Sequence, residues 1–121
     1  APPPAPAGSF DASAAARGRT LFNGTARCAT CHTGSTFTDA NFRLHATTDS
    51  MAEPETPSYA ARTATGKYRT TPLRGAWQHA PYFHDGSAAT LDAAVETYNR
   101  RLGLGLSAQD VQDVAQYVRS L

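Results

Sequence analysis

Apolar residues recur at helical spacing in three separate stretches of this chain, and no stretch alternates as a half-buried strand would. The first stretch begins near Asp11 or Ser13 and runs through Ala14 to Phe22. It places Gly18, Leu21 and Phe22 on one face, and Asn23-Gly24 supplies a stop. The second runs from Leu91 to Arg100: Thr90 stands where a cap belongs, Asp92 near the positive end, and Arg100 and Arg101 at the negative end. Gly103 and Gly105 break the chain before the third, which opens at Ser107 with Asp110 in a capping-box arrangement. Val111, Val114, Ala115, Val118 and Leu121 form its apolar stripe. Residues 33–80 are rich in Thr, Gly, Pro and Asp and have no sustained period, which predicts loop with short turns. So long a loop in a small domain wraps something. The pattern predicts an all-α fold of three or more short helices and long loops.

Composition makes the same demand. Only 17 of the 121 residues are Leu, Val or Phe, and none is Ile, so the side chains alone make a thin core. A large apolar disc inside the fold would supply the missing area. The formal net charge is +1, which argues against nucleic acid or a charged membrane surface as partner. No apolar run reaches bilayer length, so no transmembrane segment is expected. Residues 1–9, Ala-Pro-Pro-Pro-Ala-Pro-Ala-Gly-Ser, lack the pattern of a signal peptide and read as a Pro-rich linker or tail ahead of a single domain over residues 10–121. It would join a second domain or a cleaved leader, or be a ragged terminus with no neighbour.

The chemistry concentrates at Cys28-Ala29-Thr30-Cys31-His32. C-x-x-C-H is the c-type haem attachment pattern: two thiols add to the vinyl groups of one macrocycle, and the adjoining histidine reaches the iron. The expectation is one haem c per chain, with Cys28 and Cys31 as covalent anchors and His32 as proximal ligand. Three other uses of the motif fit less well. Structural zinc needs a fourth ligand, and only scattered His45, His79 and His84 are on offer. A thioredoxin-like redox pair would want a βαβ setting, and a plain disulfide has no need of the histidine.

Gly18-Arg19-Thr20-Leu21-Phe22 ahead of the motif resembles the N-terminal helix of class I cytochromes c, and Val114 to Leu121 resembles its C-terminal partner, with Tyr117 as the aromatic at the crossing. A more particular likeness covers residues 28–121. Phe37-Thr38-Asp39-Ala40-Asn41-Phe42, Tyr68-Arg69-Thr70-Thr71-Pro72-Leu73-Arg74-Gly75, Ala80-Pro81-Tyr82-Phe83-His84-Asp85-Gly86 and Thr90-Leu91 resemble, in order, the haem domains of bacterial di-haem cytochrome c peroxidases and their MauG relatives. The resemblance implies a cytochrome c-like fold and haem environment. It does not imply the peroxidase reaction, because those proteins are longer chains in which a second haem feeds electrons to an open iron, and this sequence has a single haem motif.

Met51, the one methionine, is the first candidate for the distal iron ligand: it lies in the loop expected to wrap the haem, although an exposed Met there is a competing reading. Tyr98 is the alternative, since it falls in the helix where the resemblance places a distal ligand, Met in the peroxidases and Tyr in the MauG relatives. His84 is assigned a loop-fixing hydrogen bond, and His45 and His79 are read as surface or loop residues, with His45 the reserve ligand. Arg69, Arg74 and Trp77 cluster ahead of Pro81, and Arg74 is the candidate partner of a haem propionate.

The expected function is electron transfer by the single haem, serving a redox enzyme or larger multidomain protein through transient contact, and not catalysis. A peroxidase-like enzyme with an open or labile sixth iron site is the competing expectation, and a haem-based gas sensor a third. Covalent haem attachment implies a periplasmic or secreted location.

Overall fold

The computed structural model describes residues 2–46, 65–83 and 85–121. Helix α1 spans Ala12–Phe22, with the Asp11 carboxylate accepting from the Ala14 amide at 2.9 Å. Helix α2 spans Leu91–Leu102. Thr90 caps it, and Gly103, in the left-handed region at φ 59°, closes it two residues beyond the expected end. Helix α3 spans Ala108–Ser120 and opens on a complete capping box: the Asp110 amide donates to the Ser107 hydroxyl at 3.0 Å, and the Ser107 amide to the Asp110 carboxylate at 3.1 Å.

Helices α1 and α3 cross at Gly18. A Cβ there would run into the backbone carbonyl of Asp113, so only glycine allows this approach. Beside the contact, Arg17 Nε and Nη2 donate to the Asp113 carboxylate at 2.8 and 2.9 Å. Tyr117 closes the seam one turn along: its ring meets Phe22 edge-on at 5.1 Å and Phe37 at 6.4 Å. The expected α3 stripe, Val111, Val114, Ala115, Val118 and Leu121, is buried throughout. With Phe22, Ala26, Ala76 and Leu106 it makes a core of mostly small side chains.

The helical frame holds a loop side. Cys28–Thr30 and Ala76–Gln78 are single 3-10 turns. Two strands of two residues each, β1 (His45–Ala46) and β2 (Lys67–Tyr68), pair antiparallel with His45 opposite Tyr68. The chain pattern does not foretell this ladder, because two residues are too few to show a period of two. The Pro-rich start lies along the body of the domain: Pro2 rests against Gly75, and the Ser9 carbonyl accepts from Arg119 at 2.7 Å.

Candidate functional site

Helix α2 is amphipathic, yet none of its twelve residues is buried. Its apolar side faces a cavity. Ala94 and Tyr98 line a space of about 340 Å3, and the same two residues with Val95 and Leu102 line an adjoining space of about 120 Å3. Cys31, His32 and Leu73 also belong to both, so the two spaces form one slot with a waist at the C-x-x-C-H turn. The smaller end is walled by Phe22, Val114 and Val118. The larger end adds polar groups, among them Arg69, Thr70, Thr71 and His79.

The slot suits haem. An apolar macrocycle would complete the burial of the half-buried apolar side of α2 and supply the area the core lacks, while its carboxylates need a polar end such as the one around Arg69. The donor set suits it too. Cys28 lines the smaller end and Cys31 both ends, one turn apart and unbridged. Cys28 Sγ donates to the Ala26 carbonyl at 3.5 Å, and burial pushes its thiol up to about 12.

His32 is oriented from the loop side. Its Nδ1 donates to the Phe37 carbonyl at 3.0 Å, and Phe37 takes the left-handed backbone (φ 56°) in that turn. With the proton on Nδ1, the lone pair is on Nε2, the tautomer a metal-bound histidine uses. Burial lowers the His32 pKa, against backbone hydrogen bonds to Phe37 and Thr71, and so favours the neutral ring that binds metal.

The structure separates the other sequence candidates. Tyr98 stands on the slot wall, with its ring edge-on to Phe83 at 5.6 Å. Met51 and His84 lie outside the described residues. Arg69 lines the larger end, whereas Arg74 is turned elsewhere: its Nε donates to the Ser35 carbonyl at 2.6 Å and its guanidinium covers the Phe37 ring at 5.3 Å. Trp77 is not on the slot wall, and its buried indole N–H has no hydrogen-bond partner among the described residues. His79 is exposed at the cavity edge, as a loop histidine should be.

His45, read from the sequence as a surface or loop residue and reserve ligand, lies in β1 and is buried, 8% exposed, which corrects the surface reading. The reason is Asp39, a fully buried carboxylate that needs donors. His45 Nε2 donates to Asp39 Oδ2 at 2.9 Å, and Arg43 Nε donates to the same oxygen at 2.9 Å. Hydrogen bonds from Thr70, Arg43 and His45 hold the Asp39 carboxyl at about 2, although burial works the other way. This network was not foreseen. The only trace of it in the sequence is an acid in a turn-forming stretch with an arginine four residues on and a histidine six on.

A family model described as Cytochrome c matches residues 15–121. Among curated proteins, the chain is similar to the cytochrome-c peroxidase IdrP1 of Pseudomonas sp. (strain SCT), at 28% identity over 87% of this chain and 39% of that protein. It is also similar to the methylamine utilization protein MauG of Methylorubrum extorquens, at 36% identity over 69% of this chain and 24% of that protein. A solved structure of a MauG-like protein associated with microbial copper homeostasis superposes with a TM-score of 0.68 and 26% identity, over 95% of this chain and 48% of that one. The chain spans less than half the length of each. These relatives overturn the expectation that the chain is not an enzyme, since the curated proteins it resembles are named as peroxidases and as MauG. Motif, slot, helix crossing and family match converge: this chain belongs to the cytochrome c family, whose members carry covalently bound haem c.

Proposed function

We propose that this chain is the haem domain of a peroxide-using redox enzyme of the cytochrome c peroxidase and MauG kind, with a labile sixth position at its iron. The observation that carries the reading is the half-buried, cavity-facing apolar side of α2, which brings Tyr98 to the slot that His32 lines, in a chain similar to peroxidases and MauG. Haem in this slot would supply one-electron iron chemistry and, at an open coordination position, a place for peroxide.

The residues divide the work. Cys28 and Cys31 would anchor the macrocycle by thioethers, and His32, its ring fixed by the Phe37 carbonyl, would offer Nε2 to the iron. Tyr98, on the slot wall with its ring steadied by Phe83, would take the distal role. Phe22, Val114 and Val118 wall the smaller end with apolar surface, and Arg69 would offer a cation to a propionate at the larger end. Covalent haem attachment supports a periplasmic or secreted location, and among the described residues no helix is long and apolar enough to cross a membrane.

The test is a titration of the haem-loaded, dithionite-reduced protein with hydrogen peroxide, followed by absorbance. The reading expects prompt oxidation, with one peroxide consumed for each pair of ferrous chains because its reduction to water takes two electrons. Ferrous protein that ignores stoichiometric peroxide would overturn it.

A further inference from the structure

The Asp39 network touches the haem attachment turn directly. Arg43 Nη2 donates to the Thr30 carbonyl at 3.2 Å and approaches Cys31 Sγ at 3.7 Å, while its Nε holds Asp39. Cys31 Sγ, an Asp39 carboxylate oxygen and a His45 ring nitrogen all lie within 4.8 Å of one another, and both Cys31 and His45 line the slot. Such a trio has the spacing of a metal triad. Here, however, the carboxylate already has a cation, the Arg43 guanidinium, and Cys31 belongs to the haem motif.

The two charges differ in their surroundings. Asp39 is fully buried, whereas the Arg43 side chain is 46% exposed. Water screens the arginine more than the carboxylate, so the carboxylate's charge is the less attenuated of the two toward the Cys31 turn. A buried negative charge stabilises the more positive oxidation state of a nearby metal.

We propose that Asp39, with Arg43 as its half-solvated counter-ion and His45 as its contact to the slot wall, is a fixed-charge device that biases the iron toward the ferric state. Asp39 is a positioning and tuning residue, not a catalytic one, and its effect passes through the Cys31 side of the macrocycle. The inference rests on haem attachment at Cys31 and is independent of peroxide reactivity, which the titration above reads separately.

The experiment is a spectroelectrochemical titration of haem-loaded wild type and three variants at about pH 8. Asp39→Asn keeps the shape and removes the negative charge. It should favour ferrous iron about tenfold, a rise of about 59 mV for a one-electron couple. Arg43→Gln removes the counter-ion and leaves Asp39 its hydrogen bonds from His45 and Thr70, and should move the equilibrium the other way by about threefold, less because the arginine is screened. Arg43→Lys keeps the charge without the forked geometry and should return the potential most of the way to wild type. Opposite signs for Asp39→Asn and Arg43→Gln support the device, whereas shifts of the same sign, or none, overturn it. Should Asp39→Asn fail to fold, the arginine pair decides: rescue by lysine supports a charge effect, and failure of rescue reduces the network to packing.

Discussion

The two sides of this molecule are built by different means. The frame of α1 and α3 is held by repetition: a glycine against a backbone carbonyl, a stripe of valines, and an aromatic at the seam, each where helical geometry puts it. The loop side, from Cys28 to Ala46 and from Thr65 to Phe83, is held by single polar contacts, such as Thr38 Oγ1 donating to the Thr70 carbonyl at 2.6 Å and Tyr82 to the Ala76 carbonyl at 2.9 Å. Packing tolerates exchange among apolar residues of similar volume, whereas a buried polar contact fails when one partner is lost. The frame therefore dominates stability, and the loop side supplies the polar contacts that orient the His32 turn.

The sharpest way to break that division is Gly18→Val. A branched side chain cannot fit against the Asp113 carbonyl, and α3 must move away, which should cost about 3 kcal/mol or more in denaturant unfolding of the haem-loaded protein. Wild-type stability in this variant would show that the helix crossing is not what holds the frame.

A smaller effect is expected from Tyr98→Phe, which removes one hydroxyl from the slot wall and keeps the ring packed on Phe83. The unfolding midpoint should barely move, while the ferric absorbance and magnetic resonance spectra should change because the distal group has changed. Unaltered spectra, with a change on replacing Met51 by Ala, would give the distal position to Met51.

The mildest prediction concerns acid. Asp39 titrates at about 2, and Asp113 is lowered by its hydrogen bonds to Arg17 and Gln109, against roughly 3.9 for a free aspartate. The unfolded chain therefore takes up these protons first as pH falls; the stability Asp39 contributes is present above about pH 4 and lost toward pH 2, and that of Asp113 is lost in the same direction. Denaturant midpoints should fall across that window, and Asp39→Asn should flatten the drop. A wild-type midpoint that holds steady there would mean that the buried carboxylates contribute little.

The same division governs what could be read in the sequence. Helix limits were legible because Asp11, Thr90 and Ser107 cap by local rules, and the crossing followed from Gly18 and Tyr117. The C-x-x-C-H motif carried the haem chemistry because its function depends on spacing within five residues. What escaped was decided by long-range geometry. Arg74 and Arg69 are indistinguishable as residues in a string, yet only Arg69 faces the slot. His45 reads as a surface or loop histidine because nothing local announces that Asp39, six residues away, is buried and in need of a donor.

The account stands on one covalent haem held at Cys28 and Cys31, and intact-mass spectrometry of acid-denatured protein from a host competent in cytochrome c maturation tests this most directly. The chain should carry the mass of one haem that organic extraction does not remove, and replacing both cysteines by alanine should abolish it. A bare chain mass, or haem that extracts freely, would contradict the account.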